Sequence, residues 1–83
     1  MEQEELRNLN VNKSVDARAT ACPGPLLAAK KAVRELESGQ LMEVMSADPA
    51  TKRDIPKWAQ KKGHEYLGTV EEDGYFKIYM KVK

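Results

Sequence analysis

Pro23-Gly24-Pro25 fixes a boundary in this 83-residue chain. Proline has no N–H and a locked φ. Both suit the first turn of a helix, where N–H groups have no intrahelical partner anyway. The residues that follow, from Leu26 through Glu37, are nearly all strong helix formers. Those before it read differently. From Ser14 to Arg18, Val15 and Ala17 alternate with Asp16 and Arg18, the period of a short strand. Ala19-Thr20-Ala21-Cys22 then carries a strand into a helix start.

Cys22 is the chain's one cysteine and stands where that helix would have its N-cap. The positive end of a helix dipole favours thiolate over thiol. Thiolate is the nucleophilic form, so Cys22 is the candidate reactive group. Pro23 and Pro25 would stiffen the helix start, and Gly24 leaves the backbone open to close approach. The residues alone allow a plainer reading too, in which a lone cysteine is a small buried hydrophobe.

The rest of the chain predicts the fold. Helical spacing continues to about Ser38, with Leu26, Ala29, Val33 and Leu36 facing inward and Leu27 and Ala32 widening the stripe. Gly39 stops it. Leu41 to Ala47 alternates as a second strand, closed by Asp48-Pro49. A second helix begins irregularly at Thr51 or Asp54 and runs to about Lys62, with Ile55, Trp58 and Ala59 inward and Gly63 as its stop. Asp73-Gly74 between strand-like runs marks a hairpin, with arms over 65–71 and 75–82. Phe76, Ile78, Met80 and Val82 alternate with Tyr75, Lys77, Tyr79 and Lys81. The order predicts an α/β (α+β) two-layer sandwich, βαβαββ, with a four-stranded mixed sheet and two helices on one face. Residues 1–12 read as a weakly ordered N-terminal extension and 13–83 as the domain.

Composition narrows the function. One domain of this length buries only about 60–65% of its unfolded surface. A net charge of +1 gives no global drive toward nucleic acid or membrane. A single cysteine excludes an internal disulfide and an all-cysteine metal site, and His64 adds little ligand capacity. No metal and no cofactor are expected. The chain has no apolar run of spanning length. Its start, Met1-Glu2-Gln3-Glu4-Glu5, is acidic and unlike a signal peptide, so cytoplasmic residence is the default expectation.

Val15-Asp16-Ala17-Arg18, then Cys22-Pro23-Gly24-Pro25-Leu26-Leu27 and Lys30-Lys31-Ala32, resembles the signature of the TusA/SirA-like family of small sulfur-carrier proteins. A second match lies at Asp48-Pro49-Ala50-Thr51-Lys52-Arg53-Asp54-Ile55-Pro56. Together they cover about Ser14 to Lys83 in family order. The family usually has glycine about where Ala19 stands here. The resemblance implies the same βαβαββ fold. It also implies that Cys22 accepts sulfane sulfur as a persulfide and passes it on, in tRNA thiolation, cofactor synthesis or sulfur oxidation. Such a chain is a sulfurtransferase-type carrier rather than a multiple-turnover enzyme. Its partners would be a sulfur donor (a cysteine desulfurase or rhodanese-like protein) and an acceptor sulfurtransferase, met by a monomer in transient complexes. A thioredoxin-type cycle would need a second cysteine to resolve the mixed disulfide.

Supporting groups follow. Asp16 and Arg18 match the family's Asp motif, and read first as charges that hold the loop and only second as groups with a part in the chemistry. Lys52, Arg53, Lys57, Lys61 and Lys62 form a positive run, readable as a solvated helix face or as a docking surface for an acidic partner. The alternatives are a regulatory or RNA-binding module of the same fold, a selenium-handling relative, and a structural domain with an inert cysteine.

Overall fold

Four segments with alternating apolar residues form the sheet, and three helical segments surround it. The computed structural model describes residues 3–18 and 24–83, and only the backbone at 3, 7, 24 and 25. The strands are β1 (Lys13–Asp16), β2 (Leu41–Ser46), β3 (Glu65–Glu72) and β4 (Tyr75–Lys81). The helices are α1 (Gln3–Arg7), α2 (Gly24–Arg34) and α3 (Pro49–Lys62). The sheet order is β1-β2-β4-β3. β1 runs parallel to β2, and β4 runs antiparallel to both β2 and β3. The C-terminal ends of β1, β2 and β3 therefore share one edge of the sheet. α2 and α3 both start from that edge, so they run alongside each other in the same sense.

One face of the sheet carries the main core. Met42 and Val44 of β2 and Phe76, Ile78 and Met80 of β4 meet Ala29 and Ala32 of α2 and Ile55, Trp58 and Ala59 of α3. Small alanines let α2 sit close to the strands. The predicted inward residues of α3 are all there, and the mixed four-stranded sheet with two helices on one face is the architecture observed.

Several boundaries differ from expectation. α2 ends at Arg34, four residues short of Ser38. Glu35 and Leu36 donate to Ala32 and Val33 carbonyls (3.0 and 3.1 Å), tighter bonds that finish the turn. Leu27 does not widen the buried stripe, since it is 59% exposed. α3 begins at Pro49, not at Thr51 or Asp54. Asp48 is its N-cap and accepts the Ala50 N–H at 3.0 Å, with Pro49 in the first turn. Thr51 is a buried strut whose Oγ1 accepts from the Ser46 hydroxyl at 3.0 Å. Gly63 ends the helix in the left-handed region at φ 82°.

The second face was not foreseen. Within 1–12, α1 lays Leu6 against Val70 and Tyr79, with Leu9, Val11 and Leu67 at the margin. Leu6 is 1% exposed. Gly68 makes this possible, because a Cβ there would lie 2.6 Å from Leu6 Cδ1. The pairing of β3 with β4 shifts between Tyr66 and Gly68, leaving Leu67 as the extra residue of a bulge. A five-residue helix shows no periodicity in sequence, and its contacts lie some sixty residues away.

Candidate functional site

β1 ends and α2 begins at one edge of the sheet, the region where α/β sheets commonly bind ligands. Cys22 and Pro23 fall outside the described residues. Gly24 is the first residue of α2, followed by Pro25, so the helix starts within two residues of the cysteine in sequence.

Asp16 and Arg18 come together as one unit. The Asp16 carboxylate accepts from Arg18 Nε (2.9 Å) and Nη2 (2.8 Å), a bidentate pair. It also accepts the Arg18 backbone N–H at 3.2 Å, closing the turn that leaves the sheet. The buried Ala17 between them donates its N–H to Met45 at 2.9 Å and prolongs the parallel pairing. The guanidinium carbon lies 5.0 Å from the centroid of the Tyr75 ring on β4. Hydrogen bonds from the Arg18 side chain, then from its backbone, pull the Asp16 carboxyl down from 3.8 to about 2. Arg18 is raised in turn by Asp16. The guanidinium is thus committed to Asp16 and Tyr75. It holds the exit of β1 rather than standing as an open anion receptor.

Beside it, Ser46, Asp48 and Thr51 build the start of α3. The Ser46 Oγ accepts the Asp48 N–H at 3.1 Å while its hydroxyl donates to Thr51. Lys52 pairs with Glu71 and lies 4.9 Å from the Phe76 ring centroid. A cleft of about 250 Å³ opens between Pro49, Lys52, Glu71 and Tyr75.

The positive run is spread over more than one depression, and Lys57 lines both the one beside Arg53 and the furrow between α3 and α2. Lys52 belongs to this sheet edge. Arg53 bonds Asp54 (Nε–Oδ1 3.4 Å) and lines a depression with Gln60, His64 and Tyr66. Lys57, Lys61 and Lys62 line the furrow between α3 and α2. Reading the sequence by runs missed three residues. Tyr75 carried no local signal. Lys30 and Arg34 did: like charges one helical turn apart repel and ask for an anion.

His64 lies beyond the C-terminus of α3, at the opposite end of that helix from Asp48. Its Nδ1 accepts the Lys83 N–H at 2.9 Å, and its ring sits 5.4 Å from Trp58. Burial, then the charge of Lys83, lowers its pKa from 6.5. Among the described residues, no group of three or more His, Cys, Asp or Glu is placed to hold a metal. No helix among them is long and apolar enough to cross a membrane.

Comparison with known proteins covers both motifs. The family profile described as sulfurtransferase TusA matches residues 13–82. The sulfur carrier protein TusA of Pseudomonas syringae pv. syringae is 38% identical, over 96% of this chain and 95% of its own length. That of Pseudomonas entomophila is 41% identical, over 84% of this chain and 88% of its own. The crystal structure of a SirA-like protein from Desulfitobacterium hafniense matches with a TM-score of 0.69 at 29% identity, covering 83% of this chain and 95% of that one.

Proposed function

The chain belongs to the sulfurtransferase TusA family, and from that premise we propose that Cys22 is the atom-carrying residue of a sulfur carrier. The carrier role itself follows from the family and from relatives named for it. A relay needs a donor protein and an acceptor protein. We assign these as a cysteine desulfurase or rhodanese-like donor and a sulfurtransferase acceptor.

The observation that carries the assignment is the family match across 13–82 in a chain with one cysteine. The chemistry needs no more. Cys22–S⁻ attacks the outer sulfur of a donor persulfide, R–S–SH. The donor's S–S bond breaks, R–S⁻ leaves, and Cys22–S–SH remains with its proton on the outer sulfur. An acceptor thiolate repeats the attack on that sulfur and releases Cys22 as thiolate. The sulfur moves as a neutral atom, so no oxidant or reductant is consumed. The N-terminus of α2, which starts at Gly24, supports the thiolate through the positive end of its dipole. Asp16 and Arg18 serve as positioning residues that hold the chain where it leaves β1.

Intact mass tests this. Incubation with a cysteine desulfurase and cysteine, without reductant, should add the mass of one sulfur atom to the wild-type chain. Reductant should reverse the gain, and Cys22→Ala should show none. The same gain in Cys22→Ala, or no gain from either this donor or a rhodanese with thiosulfate, would overturn the assignment.

A further inference from the structure

We propose that the furrow between α2 and α3 is the docking site for an acidic, amphipathic segment of a partner protein. The inference deepens the carrier reading, and rests on it, by naming the chemistry of the protein that meets Cys22. Leu26, Lys30 and Arg34 stand one turn apart on α2 and form one wall. Lys57, Lys61 and Lys62 of α3 form the other. Two adjoining depressions, of about 450 and 280 Å³, share Lys30 and Trp58. Trp58 is the floor and is 9% exposed.

The charge is one-sided. Among the described residues lining the furrow, five carry positive charge and one, Asp54, carries negative charge. Asp54 already accepts from Arg53 at 3.4 Å. The chain as a whole is only +1, so this excess is balanced elsewhere, in part by Glu71, Glu72 and Asp73 of the hairpin. Such a distribution orients an approaching acidic surface even when net charge is near zero.

The floor decides between classes of partner. The half-buried Leu26 and Val33, over the edge of Trp58, offer apolar contact that carboxylates alone would leave unused. A nucleic acid would use the lysines, but stacking needs an open ring face, and Trp58 is nearly covered. A helix or strand bearing Glu or Asp with Leu or Phe between them satisfies both. The furrow begins at Leu26, four residues after Cys22 in sequence. A segment seated there would lie along the helix that starts at the reactive junction.

Trp58 is the chain's one tryptophan, so its fluorescence reads the site directly. The probe is a synthetic amphipathic peptide of alternating Glu and Leu helical faces, titrated into the full chain at physiological salt. Saturable binding that shifts Trp58 emission and weakens as salt rises is expected. Lys30→Glu combined with Lys61→Glu should weaken it by about tenfold or more. Cys22→Ala should bind as the wild type does, which separates this result from any failure of the persulfide assignment. No binding, equal binding by the charge-reversed chain, or tighter binding of a single-stranded RNA of equal charge would overturn the proposal.

Discussion

Charge at the exit of β1 is set mainly by a neighbour two residues away. Asp16 accepts three hydrogen bonds from Arg18, and Arg18 rests on Tyr75. The folded Asp16 titrates near 2 against an ordinary 3.8. A depressed carboxylate contributes stability that is fully present above 3.8 and is lost as pH falls through about 2. Both groups are open to solvent, so the effect on global stability is small. The local effect is measurable. Carboxyl NMR titration should find Asp16 near 2 in the wild type and back toward 3.8 in Arg18→Ala. A wild-type value near 3.8 would show that the pair does not hold in solution.

At the scale of elements, α1 is the part of the molecule that depends on one side chain. It is too short to persist by its own hydrogen bonds. Leu6, set over Gly68 and against Val70 and Tyr79, keeps it in place. Truncating a buried leucine costs about 2–5 kcal/mol, capped here by the free energy of releasing α1 alone. Leu6→Ala should therefore lose about 2 kcal/mol in denaturant unfolding. It should also raise amide exchange in β3, while the contacts of α2 and α3 stay intact. Unchanged exchange in β3 would mean that α1 does not cover the sheet. α3 is the contrasting case, fixed at both ends by Asp48 and Gly63 before any packing.

For the whole molecule, His64 ties the end of α3 to the end of the chain through the Lys83 N–H. An Nδ1 that accepts this bond cannot also carry a proton. The folded pKa is lowered below 6.5, so the unfolded chain binds the extra proton more readily. The His64 contribution is therefore fully present above pH 6.5 and is lost as pH falls below it toward the lowered folded value. Melting temperature of the wild type should fall between pH 7 and 5 by more than that of His64→Gln. Parallel curves would remove the role. The ring's contact with Trp58 makes the same titration visible in fluorescence.

The sequence by itself determined what depends on near neighbours and simple periods. Alternation in Phe76, Ile78 and Met80 gave the inward face of β4. Asp73-Gly74 gave the hairpin, and the helix-compatible prolines gave the start of α2. The motif around Cys22 was enough to point to the family that the comparisons show. Asp48-Pro49 was legible as an N-cap and first turn, but the strand-ending reading took precedence there. Tertiary structure alone decided what joins residues remote in sequence: Leu6 over Gly68, Arg18 on Tyr75, Lys30 beside Lys57 and Lys61, and Arg34 beside Lys62. None of these follows from local spacing. Each arises because the sheet order β1-β2-β4-β3 and the common starting edge of α2 and α3 bring distant faces together.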